Sequence, residues 1–259
     1  MRDGGRIWLI GGTSESAVIA RLLTDVGIPC IVTVTTNNAE LLYPQTRVLV
    51  GKMSGYIIPH FLHKMQIRAI VDATHPYAVA ISQLAIAACA QHNIPYLRYE
   101  RSAMVDLGVS PKAKVIELES FDTLLQGDYL HRKRVLLTIG VKTLPAFKPW
   151  QNRCTLFARV LPEVNSLQVA IEAGFTSDRL FALRPPISAA MEKALWEHWQ
   201  ISLVVTKANG SAGGEDVKRS VAEALGIPLI VIARPQVAYP RQTSDFAAVL
   251  RFCRQHILE

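Results

Sequence analysis

The sequence predicts an α/β protein whose two halves each carry a parallel sheet covered by helices on both faces. Three observations predict it. Strand-like and helix-like segments alternate through most of the 259 residues, with short connections. One punctuation recurs, as Gly27-Ile28-Pro29, Asn93-Ile94-Pro95 and Gly226-Ile227-Pro228: a helix ends at Gly or Asn, and Pro starts an apolar strand. Half of the residues are apolar, 19% are charged and the mean hydropathy is +0.21, the balance of a chain that buries strands on both faces.

In the first half, 6–10 reads as a short apolar strand and 14–26 as a helix with apolar positions at Ala17, Ile19, Ala20, Leu22 and Leu23, closed by Gly27. Strands follow at 29–35 and 47–50, a helix at 56–65, a strand at 68–72, a long helix at 77–92 and a strand at 95–99. In the second half, strands are expected at 135–138, 154–160, 179–183, 201–206 and 229–233, with helices near 162–173, 188–198, 215–225 and 244–256. Segment 102–114 contains Gly108 and Pro111 and has little periodicity, so the junction belongs there, with domains at 1–110 and 111–259.

Composition excludes several classes. The longest nearly apolar stretch, Ala78 to Ala90, is 13 residues, too short to span a bilayer. The N-terminus lacks a cleavable signal pattern, and the expectation is a cytoplasmic protein that does not engage a membrane. Cys30, Cys89, Cys154 and Cys253 are scattered, with no C-x-x-C pair and no Cys/His cluster, so reduced buried thiols are expected and no metal site. The net charge is +7 and dispersed, apart from the run His131-Arg132-Lys133-Arg134 at a strand entry. With no nucleic-acid-binding motif, a polyanionic small substrate fits this charge best and nucleic acid is not expected as a partner. Nothing in the sequence assigns an oligomeric state.

Several motifs lie where chemistry is expected. Gly11-Gly12-Thr13-Ser14-Glu15 follows the first strand and opens a helix, a context for a phosphate at a helix N-terminus. It lacks the later glycines of G-x-G-x-x-G, and reads equally as a tight turn with Thr13 or Ser14 as N-cap. After the second strand, Thr35, Thr36, Asn37 and Asn38 stand where a dinucleotide site places an acid. Hydroxyls and amides there donate to a 2′-phosphate, favouring NADPH over NADH, or form a plain polar loop. Asp72-Ala73-Thr74-His75-Pro76-Tyr77-Ala78 ends the fourth strand, and Pro76 holds His75 in extended backbone. His75 is a candidate proton donor or carboxylate anchor, or a structural histidine. Arg98 and Arg101 flank Glu100 as a candidate carboxylate clamp, unless one of them pairs with Glu100. In the second half, Thr138-Ile139-Gly140 ends a strand, and Lys207 to Gly214, with Asn209, Gly210, Gly213 and Gly214, makes an anion nest between strand and helix. Lys218 and Arg234 would add charge to it. Tyr129 and Lys133 match a Y-x-x-x-K spacing, but they precede a strand and share no helix face, so the match is rejected.

Taken together, these strings resemble the precorrin-6A reductase family of cobalamin biosynthesis. The resemblance runs over nearly the whole chain. It rests on Gly11–Glu15, Asp72–Ala78, Tyr96-Leu97-Arg98-Tyr99-Glu100-Arg101, Leu137-Thr138-Ile139-Gly140, the Lys207–Gly214 loop and Ile227–Pro235. It implies two Rossmann-like domains with a cleft between them, and NADPH-dependent reduction of one double bond of the precorrin macrocycle, giving precorrin-6B. A polycarboxylate tetrapyrrole is then expected to be held by Tyr77, Arg98, Arg101 and Lys207, with His75 as proton donor or, in preference, as carboxylate anchor. Cofactor contacts would come from Gly11, Gly12, Thr13, Ser14, Glu15, Thr35, Thr36, Gly140, Asn209, Gly213 and Gly214. The sequence departs from the family's frequent Gly-Gly-Phe-Gly-Gly stretch, having Gly51-Lys52-Met53-Ser54-Gly55, and from its frequent Arg after the second strand. Two alternatives stand beside this: a reductase of the cobalt-containing analogue, with NADPH or NADH, and a non-catalytic dinucleotide-sensing module, which would need neither His75 nor the arginines.

Overall fold

The computed structural model describes residues 5–101 and 114–257. The expected junction at 102–113 lies outside the described residues. Along the chain run β1 (Arg6–Ile10), α1 (Ser14–Asp25), β2 (Cys30–Val34), α2 (Asn37–Glu40), β3 (Arg47–Val50), α3 (Ile57–Lys64), β4 (Ile67–Asp72), α4 (Val79–His92) and β5 (Tyr96–Tyr99). Then come β6 (Val115–Leu118), α5 (Phe121–Gln126), β7 (Arg134–Leu137), a 3₁₀ segment Val141–Trp150, β8 (Thr155–Val160), α6 (Val164–Glu172), β9 (Leu180–Ala182), α7 (Ala189–His198), β10 (Leu203–Lys207), α8 (Glu215–Leu225) and β11 (Leu229–Ile232). The chain closes with β12 (Gln242–Thr243) and α9 (Phe246–Ile257). Gly27, Asn93 and Gly226 all adopt positive φ (72°, 54° and 66°), so the recurrent punctuation is a left-handed helix stop.

The chain forms two units, Met1–Ser102 with Gln236–Glu259, and Ala103–Pro235. The first unit holds a six-stranded parallel sheet in the order β12-β5-β4-β1-β2-β3. Both of its faces are buried. Ile7 and Leu9 of β1 pack with Val32, Val71 and Leu97 under α1 and α9, while Trp8 and Ile10 pack with Ile31 and Ile70 under α3 and α4. The buried Trp8 indole donates to Thr33 Oγ1 at 2.8 Å.

The second unit repeats the arrangement in the order β6-β11-β10-β7-β8-β9, again all parallel. Val135 and Leu137 of β7 face α5, the 3₁₀ segment and α6, and Leu136 faces α7 and α8. In the first unit this is the doubly wound 3-2-1-4-5-6 order, and in the second the same spatial pattern carries the chain order 4-3-2-5-6-1. Each sheet then has one switch point, between β1 and β4 in the first unit and between β7 and β10 in the second, and ligands of such sheets bind there at the carboxyl ends.

One expectation is corrected here. The expected second domain, 111–259, includes the segment 236–259. That segment belongs to the first unit: β12 pairs in parallel with β5, Gln242 opposite Arg98 and Thr243 opposite Tyr99. Helix α9 buries Val249, Phe252 and Cys253 in the same core as α1. All four cysteines are free, and burial raises their thiol pKa values, Cys154 to about 11 and Cys89 and Cys253 to about 12. Among the described residues, no helix is long and apolar enough to cross a membrane.

Candidate functional site

Two sets of residues lie at the two switch points, one in each unit. The first is built on the turns after β1 and β4. Gly11 has no side chain because none fits: a Cβ there would collide with the Tyr43 hydroxyl and lie 2.9 Å from Val32 Cγ1. Gly12 has φ +107°, a conformation glycine adopts freely, and a Cβ on it would meet nothing within 4 Å. Thr13 is the N-cap of α1, and with Ser16 it forms a reciprocal capping box.

This turn differs from an open nest of free amides. Gly11 N–H donates to Thr33 O (3.0 Å), Gly12 N–H to Tyr43 Oη (2.7 Å), Thr13 N–H to Ser16 Oγ (2.9 Å) and Ser16 N–H to Thr13 Oγ1 (3.1 Å). The fold has already engaged these amides, so the tight-turn reading holds with Thr13 as the cap. Tyr43, which also meets Ser16 Oγ at 2.6 Å, was missed by sequence reasoning, and burial raises its pKa. Thr35 and Thr36 are exposed at the end of β2, and Thr36 caps the short α2.

The turn after β4 is joined to the first by Thr13 Oγ1, which donates to Ala73 O at 2.8 Å. His75 is partly exposed, and its Nδ1 accepts from Tyr77 N–H at 3.3 Å, with the two rings 5.7 Å apart. A narrow crevice beside these turns is lined by Thr13, Glu15, Thr74, Glu100 and Arg101.

The arginine pair divides. Arg101 forms an ion pair with Glu15, both side chains largely buried. Burial alone would raise the Glu15 pKa, but the Arg101 contact outweighs it and holds the carboxyl below the usual range. Arg98, expected to hold a substrate carboxylate, is instead fully buried (0% exposed). Its guanidinium bonds Asp72 Oδ1 (2.9 Å), Thr74 Oγ1 (2.9 Å) and Glu100 Oε2 (3.1 Å), and lies 5.1 Å from the Tyr239 ring centroid. Burial opposes its charge, Asp72 and Glu100 restore it, and the net pKa is raised. Exposure cannot be read from Arg-Tyr-Glu-Arg, which is why the sequence did not separate the two.

The second switch point carries Gly140, Lys207, Asn209, Gly213 and Gly214. Lys207 ends β10, its ammonium 5.6 Å from the Phe121 ring centroid and 4.0 Å from where a Cβ on Gly140 would stand. Burial, and then the neighbouring Lys142, lower its pKa to about 8. Gly140 (φ 78°) opens the 3₁₀ segment Val141–Trp150. The loop after β10 is compact. Glu215 Oε2 accepts from Gly210 N–H at 2.8 Å, Gly214 has φ +66°, and a Cβ on Gly213 would collide with the Asn209 side chain. Lys218, expected to add charge for a ligand, is 2% exposed and donates back to Gly213 O and Gly214 O at 3.0 and 2.9 Å. Arg234 Nε likewise donates to Ala208 O at 2.8 Å. Among the described residues, no three His, Cys, Asp or Glu side chains gather as a metal site requires.

The family profile described as Precorrin-6x reductase CbiJ/CobK matches residues 6–254. The chain is similar to the cobalt-precorrin-6A reductase of Synechocystis sp., with 46% identity over 97% of each chain. It is also similar to the precorrin-6A reductase of Rhodococcus erythropolis, with 30% identity over 94% of each. A solved structure described as CobK precorrin-6A reductase shares its fold, with a TM-score of 0.80 and 24% identity over 97% of each chain.

Proposed function

The chain belongs to the Precorrin-6x reductase CbiJ/CobK family, and we propose that it is a cytoplasmic enzyme that reduces one double bond of a precorrin-6A macrocycle at the expense of NADPH, giving precorrin-6B. The observation that carries this reading is the family match across both units, residues 6–254. The 46% identity to a relative named for the cobalt-containing substrate favours a second reading, in which the macrocycle already holds cobalt.

The residues fit a dinucleotide. The space beyond Gly12 is open, exposed Thr35 and Thr36 offer hydroxyls where an acid would repel a 2′-phosphate, and Rossmann-type sheets bind dinucleotides at such edges. Bound NADPH supplies the hydride, and a proton is added at a neighbouring atom, so the macrocycle gains two hydrogens. With four amides of the first turn engaged, the N-terminus of α1 and the hydroxyls of Ser14, Thr35 and Thr36 do the binding. Arg101 neutralises Glu15, so an anion can approach that helix end. On this reading Arg101 serves the cofactor, and His75 in the first unit and Lys207 in the second are the candidates for holding substrate carboxylates. Tyr77 in the first unit and the loop residues Gly140, Asn209, Gly213 and Gly214 in the second remain candidate ligand contacts on this reading.

The test is an anaerobic assay of the purified protein with precorrin-6A and with its cobalt-containing form. Pyridine nucleotide oxidation is expected only when a macrocycle is present. NADPH is expected to bind more tightly than NADH by roughly tenfold or more, the worth of a charge-assisted hydrogen bond to the 2′-phosphate. Equal or tighter NADH binding would overturn the cofactor assignment. Oxidation with neither macrocycle would overturn the function.

A further inference from the structure

Beneath the His75 turn lies a buried ion pair that the reaction above leaves without a task. Asp72 and Arg98 are both fully inaccessible to solvent (0% each). Asp72 Oδ1 accepts from Thr74 N–H (3.0 Å), Thr74 Oγ1 (2.7 Å) and Arg98 Nη1 (2.9 Å). Asp72 Oδ2 accepts from Ser82 Oγ (2.5 Å) and Tyr96 Oη (2.7 Å). Five donors saturate the carboxylate. A buried ion pair is a poor way to gain stability, since well-packed apolar residues serve as well or better. What such a pair provides is a fixed geometry, and here the geometry belongs to one turn.

Thr74 stands at its centre. Its hydroxyl donates to Asp72 Oδ1 and accepts from Arg98 Nη1, while its amide donates to the same Oδ1. The next residue is His75, and Pro76 then restricts the His75 backbone to the extended region. The His75 backbone is therefore held from both sides in sequence. Its Nδ1 accepts from Tyr77 N–H, so the neutral ring carries its proton on Nε2.

We propose that the Asp72–Arg98 pair, acting through the Thr74 hydroxyl, is the positioning device that fixes the orientation and tautomer of His75. The proposal rests on the reading of His75 as a partner of a substrate carboxylate. It makes Arg98 necessary for substrate binding without contact between Arg98 and substrate.

The test uses the full-length protein with Thr74→Val, which keeps the side chain's shape and removes the hydroxyl, and Thr74→Ser, which keeps the hydroxyl. Thr74→Val is expected to raise KM for the macrocycle about tenfold with kcat little changed, Thr74→Ser to restore it, and Thr74→Val to add nothing in a His75→Ala background. Imidazole ¹⁵N NMR reads the same device without catalysis. The wild-type ring is expected as the Nε2–H tautomer, Thr74→Val as a mixture, and Tyr96→Phe, which removes one donor to Asp72, as a smaller shift in the same direction. Additive effects of Thr74→Val and His75→Ala on KM, or an unchanged His75 tautomer in both Thr74→Val and Tyr96→Phe, would overturn the proposal. A wild-type protein that reduces no macrocycle would defeat the functional reading alone, and the tautomer measurement would still decide the positioning role.

Discussion

The two units share one strand order but fill its sixth position from opposite ends of the sequence. In the first unit, the strand beside β5 is β12, which arrives after the whole second unit has been traversed. In the second, the strand beside β11 is β6, which precedes every other strand of that unit. The second unit is thus a circular permutation of the first. The difference teaches that an open parallel edge selects its partner by position in space and not by order in the chain.

One buried carboxylate–arginine pair from each unit gives a second contrast. In the first, the Asp72–Arg98 pair lies at the switch point under the His75 turn. In the second, the buried Glu192 pairs with Arg159 and accepts the Trp196 indole N–H at 3.0 Å, in the interior between β8 and α7. The largest expected effects test this contrast. Asp72→Asn takes from the buried Arg98 one of its two carboxylate partners, Glu192→Gln takes from the partly buried Arg159 its Glu192 carboxylate, and each is expected to destabilise in chemical denaturation, by up to about 3–5 kcal/mol. Only Asp72→Asn should also raise KM for the macrocycle. A matching KM increase in Glu192→Gln would erase the distinction between the units.

The glycine turns give the next contrast. Gly11→Ala is expected to destabilise by about 1–3 kcal/mol through overpacking and to weaken NADPH binding, measured by calorimetry. Tyr43→Phe, which removes the hydroxyl that the new methyl strikes, should recover part of the lost stability. Gly213→Ala in the second unit should cost a similar amount with no such relief, because its obstacle is Asn209. Equal behaviour of Gly11→Ala with and without Tyr43→Phe would remove Tyr43 from the turn's design.

A smaller effect concerns Lys207. Its ammonium is buried and beside Lys142, so the folded state holds the proton less tightly than the unfolded chain. Below about pH 8 the charged form costs stability, and that cost is relieved as pH rises through about 8. Substrate affinity should run the other way, with KM rising above about pH 8 as the cation is lost. Lys207→Met should raise the Tm slightly, raise KM about tenfold and flatten that pH dependence. A Tm that falls would show that Lys207 supports the fold and does not burden it.

Much of the architecture was legible because period and punctuation are local. The strands of both cores and the three left-handed helix stops follow from residues that sit within a few positions of one another. β6 and β12 were not legible. Each is short, Val-Ile-Glu-Leu and Gln-Thr, and each is a strand because a neighbouring edge requires one. The segment Val141–Trp150 contains Pro145 and Pro149, which argue against an α-helix, yet short 3₁₀ turns tolerate them. At the site, the positions of the motifs at the sheet edges were legible, and the partners were not. Arg98 and Arg101 look alike in sequence, and only tertiary packing sends one to Asp72 and the other to Glu15. Tyr43 lies in Leu41-Leu42-Tyr43-Pro44, where no local signal points to a glycine turn 31 residues away.

The central claim is hydride transfer from a nicotinamide to a precorrin-6A macrocycle. The direct measurement is a single anaerobic turnover with NADPH carrying deuterium at the transferred position, followed by mass spectrometry of the tetrapyrrole. The expected product has gained two hydrogens, one of them the cofactor's deuterium, while NADPH is converted to NADP. A tetrapyrrole recovered unchanged, or reduced without deuterium, would contradict it.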